Sequence, residues 1–107
     1  MTKITVYGTS DTYTGFRIEG HAGYADVGED IVCAGISVLA INFINSVETF
    51  TDDKFIVNSD ENGGLIDFRF SAISSEKSQL LIKSLVLGLS DLQKENKDFI
   101  SLDYKEV

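Results

Sequence analysis

Apolar and polar residues alternate in the first twenty positions of the chain, which is the pattern of half-buried β-strands. Ile4 and Val6 are separated and flanked by polar residues, and Phe16 and Ile18 repeat this spacing. Between the two stretches, residues 10–15 contain Ser, Asp, Thr and Gly, the residue types that favour turns. The pattern therefore predicts two strands that open the fold, joined as a hairpin.

Two longer segments have helical rather than strand character. Residues 31–49 are too long and too apolar for one strand, so we predict a buried helix there, with Asp30 or Glu29 as its N-cap. A carboxylate at that end also interacts favourably with the helix dipole. We predict a second helix over residues 75–94, with Ser75 or Ser74 as the cap.

A second strand pair and a final strand complete the predicted fold. Residues 54–58 and 65–70 flank a turn at residues 60–64, whose glycines can adopt the positive φ angles of a tight hairpin. Residues 99–104 form the last strand. The predicted order is ββαββαβ, which makes residues 1–107 a single small α/β (α+β) domain with a mixed sheet packed by two helices.

Both predicted helices are apolar around much of their circumference, which one sheet face cannot cover. We therefore predict that a homodimer buries the excess. The apolar positions in question include Val38, Leu39, Ile41, Phe43 and Ile44 in the first helix, and Leu80, Leu81, Leu85, Leu87 and Leu89 in the second.

Length and composition narrow the class of protein. A chain of 107 residues with 43% hydrophobic residues supports one core. Asn42, Asn45 and Ser46 interrupt the apolar run of the first helix, and the N-terminus lacks the apolar core of a signal peptide, so we expect a soluble, cytoplasmic protein with no membrane contact. A net charge of −8 disfavours nucleic acid and would attract basic partners.

Candidate chemistry is concentrated around the only histidine and the only cysteine of the chain, His21 and Cys33. One cysteine cannot form an internal disulfide, and one Cys with one His cannot complete a four-ligand zinc site, so we expect neither a metal nor a cofactor. If the helix starts near residue 31, Cys33 lies in its first turn, where unpaired N–H groups and the dipole favour a thiolate. His21 could then act as the base, and the N–H groups of Cys33 and Ala34 as oxyanion donors.

Other interpretations of the same residues remain open. Cys33 could be a small buried apolar residue and His21 an exposed strand end. Asp30, Glu29 and Asp26 are candidates for a third catalytic group, although Asp30 is better explained as a cap. Ser37 could line the same pocket as Cys33. The loop over residues 22–29, bracketed by Gly23 and Gly28 and carrying Tyr24, could contact substrate, and we predict that it is mobile without it.

The segments Gly20-His21-Ala22-Gly23 and Gly28-Glu29-Asp30-Ile31-Val32-Cys33-Ala34 resemble the two-part signature of the Prp family of ribosomal-processing cysteine proteases. The resemblance implies that Cys33 is the nucleophile and His21 the catalytic histidine of an endopeptidase. It also implies a homodimer of small α/β subunits. The implied substrate is the large-subunit ribosomal protein numbered twenty-seven, whose short N-terminal extension ends in apolar and aromatic residues.

Two functions from other classes compete with this prediction. The first is a module that binds ribosomal proteins or a nascent ribosome without cutting anything, so that His21 and Cys33 serve only the fold or an interface. The second is a redox-sensing thiol. A sensor usually has a resolving cysteine, and this chain offers none, which leaves only pairing between molecules.

Overall fold

A computed structural model describes residues 1–20, 27–60 and 64–107, with the backbone alone at residues 27–30. The described elements follow the predicted order ββαββαβ, which confirms the fold class. They are β1 (Thr2–Gly8), β2 (Tyr13–Glu19), α1 (Val27–Phe50), β3 (Phe55–Asp60), β4 (Leu65–Phe70), α2 (Glu76–Glu95) and β5 (Ile100–Glu106).

The strands form one five-stranded sheet in the order β3-β4-β2-β1-β5. β1 and β2 are an antiparallel hairpin, as are β3 and β4, and both pairs were predicted from the sequence. β5 pairs with β1 in parallel, because the chain returns to the sheet through α2. The sheet is therefore mixed, as expected, and β3 and β5 are its two edges.

Both helices cover the same face of the sheet. Cross-strand partners such as Val6, Phe16 and Phe68 point to this face and are buried against both helices in one apolar cluster. The buried positions of α1 are three or four residues apart, so they form a single stripe along the helix. They are Val32, Ile36, Ala40, Phe43 and Val47.

Charged residues cover part of the opposite face of the sheet. The side chain of Asp67 is only 9% exposed and forms ion pairs with Arg17 at 3.0 Å and with Arg69 at 3.1 Å. The guanidinium of Arg69 lies 3.7 Å from the ring centroid of Tyr7. Glu19, and to a lesser extent Asp67, raise the pKa of Arg17 above its ordinary value. The buried carboxylate is thus fully paired, which such a group requires.

The two helix starts differ in how well the sequence predicted them. Ser75 caps α2 as predicted, since its side chain accepts a hydrogen bond from the N–H of Ser78. Asp53 holds this cap by accepting hydrogen bonds from the N–H and the hydroxyl of Ser75, and these bonds lower the pKa of Asp53. The predicted start of α1 was wrong. Its first residue is Val27, so Asp30 lies inside the first turn and cannot be the cap.

The apolar character of α1 has a second consequence. The segment Ile31–Phe50 has a mean hydropathy of 1.7 and is long and apolar enough to cross a membrane by those criteria alone. The three polar residues that interrupt the run do not lower this average enough to exclude a span, contrary to the sequence-based expectation. The core helix of a globular domain has the same composition. Here α1 packs one stripe against the sheet and leaves Ile31, Val38 and Ile41 exposed.

Candidate active site

An apolar cleft of about 450 Å³ opens between α1 and the sheet, on the side of the β3–β4 hairpin. The helix lies over the centre of the sheet and leaves the inward faces of β3 and β4 partly uncovered. Val57 and Ser59 of β3 are therefore exposed. The lining is formed mainly by aliphatic side chains. They are Ile18, Ile36, Ile41, Ile44, Val57, Leu65 and Ile66, accompanied by Thr2, Gly20, Cys33, Ser37, Ser59, Asp60 and Gly64.

The thiol of Cys33 lines this cleft and is partly accessible. Its sulfur lies 3.1 Å from the hydroxyl oxygen of Thr2. Ser37, one helical turn further along α1, lines the same cleft, as the sequence suggested. A partly exposed thiol at the wall of a cleft is accessible to a bound ligand, whereas a cysteine packed in the core is not. Cys33 is therefore not a fully buried core residue.

The predicted position of Cys33 within the helix was wrong. Because α1 begins at Val27, Cys33 lies in the second turn rather than the first. Backbone N–H groups in the second turn bond to the carbonyls four residues earlier, so the N–H groups of Cys33 and Ala34 are not free donors. Ala34 is exposed and is not part of the cleft wall. The sequence placed the helix start at the first apolar run and missed a polar first turn.

Several predicted site residues lie outside what the structure describes. His21, Gly23, Tyr24 and Asp26 fall in the undescribed residues 21–26, so their roles stay predictions. Gly28, Glu29 and Asp30 belong to the first turn of α1, which means that the predicted loop over residues 22–29 is shorter than expected. Their side chains are not described, so the third catalytic group also stays a prediction.

Gly20, which precedes His21 in the sequence, lines the same cleft as Cys33, and both residues lie against the side chain of Thr2. A Cβ atom built on Gly20 would lie 3.0 Å from the hydroxyl oxygen of Thr2. Gly64 packs on the other side, since a Cβ atom there would meet the carbonyl oxygen of Gly20. Thr2 and Gly64 thus hold the end of β2 in place beside the thiol.

Gly64→Ala tests whether this close approach matters. Gly64 has a φ of +63°, where an alanine costs about 1–2 kcal/mol, and its Cβ would also press on the Gly20 carbonyl. We expect the free energy of unfolding to fall by at least that amount, measured by urea denaturation. Gly35→Ala is the control. Gly35 lies within α1, and a Cβ atom there would make only an ordinary contact with Leu92 of α2. Equal stability of the two variants would contradict the prediction.

Sequence reasoning missed Thr2 and most of the aliphatic cleft wall. Thr2 lies 31 residues before Cys33 in the chain, and nothing in the local pattern links the two. Among the described residues, no group of three or more His, Cys, Asp or Glu side chains could hold a metal ion.

An α+β domain with a partly exposed thiol at the wall of an apolar cleft has one of the parts that a cysteine-dependent peptidase requires, a nucleophile beside a binding site. Comparison with known proteins identifies the family. The sequence model described as cysteine protease Prp matches residues 1–101. The chain therefore belongs to the cysteine protease Prp family and is a cysteine protease.

Individual relatives agree with this assignment. The ribosomal processing cysteine protease Prp of Staphylococcus aureus is 31% identical over 88 residues, which cover 82% of this chain and 83% of the relative. The crystal structure of the S. aureus protease in complex with a substrate peptide superimposes with a TM-score of 0.91 at 25% identity, covering 98% of this chain and 100% of that one. Its structure with a covalently linked product peptide gives 0.87 at 27% identity, with the same coverage.

Proposed function

We propose that this protein removes the N-terminal extension of the large-subunit ribosomal protein numbered twenty-seven, with Cys33 as nucleophile and His21 as general base and acid. The observation that carries the proposal is the position of the Cys33 thiol in the wall of the apolar cleft, beside Gly20. Gly20, the residue that precedes His21 in the sequence, lines the same cleft.

The proposed reaction follows from the chemistry of a thiol and an imidazole. His21 takes the proton of Cys33, and the thiolate attacks the scissile carbonyl carbon to form a C–S bond. Collapse of the tetrahedral intermediate breaks the C–N bond, while the imidazolium gives its proton to the leaving amine. Water, deprotonated by His21, then hydrolyses the thioester and regenerates the thiol. The covalently linked product peptide in the S. aureus protease supports such an intermediate.

The walls of the cleft fit the proposed substrate. Ile41, Val57 and Leu65 offer apolar surface to the apolar and aromatic end of the extension. The net charge of −8 would attract a basic ribosomal protein and speed the encounter. The same charge is unfavourable for direct contact with nucleic acid, and we propose that the protein acts in the cytoplasm without membrane contact.

We also propose that the protein is a homodimer. Exposed apolar residues lie seven positions apart on each helix, so that each set lies on one side of its helix. They are Ile31 and Val38 on α1, and Leu80 and Leu87 on α2. Sedimentation at micromolar concentration should give twice the subunit mass of 11.8 kDa, and Val38→Asp should shift it towards the monomer. A monomeric mass for the wild type would contradict the proposal.

The test of the proposed function compares precursor and mature forms of the ribosomal protein. The wild-type enzyme should cut the precursor once, at the end of the extension, and leave the mature form intact, as read by intact mass spectrometry. His21→Gln should lower kcat by a factor on the order of 100 or more, since general acid–base catalysis contributes about that much. Tight binding of the precursor without cleavage would favour the non-catalytic binding module instead.

A further inference from the structure

We propose that Thr2 is a positioning residue of this protease, whose hydroxyl donates a hydrogen bond to the Cys33 thiolate and fixes the direction of its attack. This inference rests on the proposed role of Cys33 as nucleophile. It is carried by the 3.1 Å distance between the Thr2 hydroxyl oxygen and the Cys33 sulfur.

The backbone of Thr2 is held rigidly by the sheet. Its N–H donates a hydrogen bond of 2.8 Å to the carbonyl of Phe99, and the residue pairs with Ile100 of β5. Only 3% of Thr2 is exposed to solvent. As a β-branched residue it has few rotamers to choose from, and the strand removes more of them. The hydroxyl is therefore a fixed point beside a helix whose cysteine side chain could otherwise rotate.

The chemistry of the contact depends on the state of the sulfur. Toward a neutral thiol the hydroxyl can either donate or accept, and neither arrangement is strongly preferred. A thiolate can only accept, so the Thr2 hydroxyl must then donate, and hydrogen bonds to charged groups are the stronger ones. When Cys33 is a thiolate, the bond thus holds its sulfur on the cleft side.

Thr2 also contacts Gly20, which follows β2 and precedes His21 in the sequence. Gly20 packs over the threonine side chain so closely that a Cβ atom there would lie 3.0 Å from the hydroxyl oxygen and 3.3 Å from the methyl carbon. One side chain therefore touches both Cys33 and the residue before His21. Thr2 sets the spacing between the end of β2 and the thiol, in addition to orienting the thiol itself.

The test uses Thr2→Val, which keeps the shape and removes the hydroxyl, and Thr2→Ser, which keeps the hydroxyl. Thr5→Val is the matched control, because Thr5 lies on the same strand but faces away from Cys33. The first readout is the rate of alkylation by iodoacetamide against pH, which reports the single thiol and needs no substrate. The second is kcat and KM for a peptide that spans the extension.

In Thr2→Val we expect the alkylation rate at neutral pH and kcat each to fall about tenfold, with KM little changed. Thr2→Ser should restore most of both effects, and Thr5→Val should match the wild type. If Thr2→Val does not fold, as judged by circular dichroism, Thr2→Ala replaces it. An unchanged alkylation profile and kcat in a folded variant without the hydroxyl would overturn the inference.

The two readouts separate this inference from the proposed function. A wild-type enzyme that fails to cut the peptide, together with slower alkylation in Thr2→Val, would refute the proposed function and support the Thr2 contact. Normal cleavage by both wild type and Thr2→Val, with identical alkylation rates, would support the proposed function and refute the role of the Thr2 contact.

Discussion

Replacing Cys33 by serine or alanine is expected to lower kcat/KM for the extension peptide by a factor on the order of a thousand or more, since removal of a catalytic nucleophile has effects of at least that size. Serine keeps the shape of the side chain, but its hydroxyl is a far weaker nucleophile than a thiolate. The proposed base, His21, would also have to deprotonate a much weaker acid. The measurement is the rate of product formation by chromatography, with enzyme at micromolar concentration.

The wild-type chain supplies its own control for this prediction. Because Cys33 is the only cysteine, alkylation with iodoacetamide modifies one defined sulfur. Alkylated wild type should lose as much activity as Cys33→Ala, while both keep the circular dichroism spectrum of the native protein. If Cys33→Ala retained most of the wild-type rate, the thiol would have no catalytic role, whatever its position in the cleft.

Phe68→Ala is expected to cause the largest loss of stability, about 3–5 kcal/mol in the free energy of unfolding. Phe68 is 0% exposed on β4 and lies at the centre of the aromatic cluster. Its ring stacks on Phe16 at 5.5 Å between centroids and meets Phe43 of α1 edge-on at 4.9 Å. Truncation removes these contacts and leaves a cavity between sheet and helix, which urea denaturation would measure.

Phe50→Ala is the matched control, since it makes the same chemical change at a residue that is 66% exposed. Its effect should stay within about 0.5 kcal/mol. Both variants should be measured at one protein concentration, because dimerisation would make apparent stability depend on it. Similar losses in the two variants would contradict the assignment of the core to the helix-covered face of the sheet.

The sequence predicted the elements whose patterns are local. Alternation around Ile4 and Phe16 marked β1 and β2, since a strand exposes one face and buries the other. Ser75 marked the start of α2 because a serine that accepts the N3 amide is a local cap. The glycine at position 64 marked the β3–β4 turn, and its φ of +63° shows why a glycine is needed there.

The sequence failed where the structure depends on contacts between distant residues. The first turn of α1 is polar and contains a glycine, so hydrophobic periodicity placed the helix start four residues after Val27. The contact between Thr2 and Cys33 depends on how α1 lies over β1, and no local pattern records that placement. His21 and Cys33 were selected through their residue types and the two-part motif, which do not give the distance between them.

Active-site titration with an electrophilic peptide tests the central claim, that Cys33 is the nucleophile of a peptidase, most directly. The probe is the extension sequence ending in a vinyl sulfone at the proposed cleavage site, and the readouts are intact mass, tandem mass spectrometry and residual cleavage. We predict one probe per subunit, located on Cys33, with activity falling linearly to zero at full labelling and protection by the uncut peptide. Subunits fully labelled at Cys33 that still cut the peptide would contradict the account.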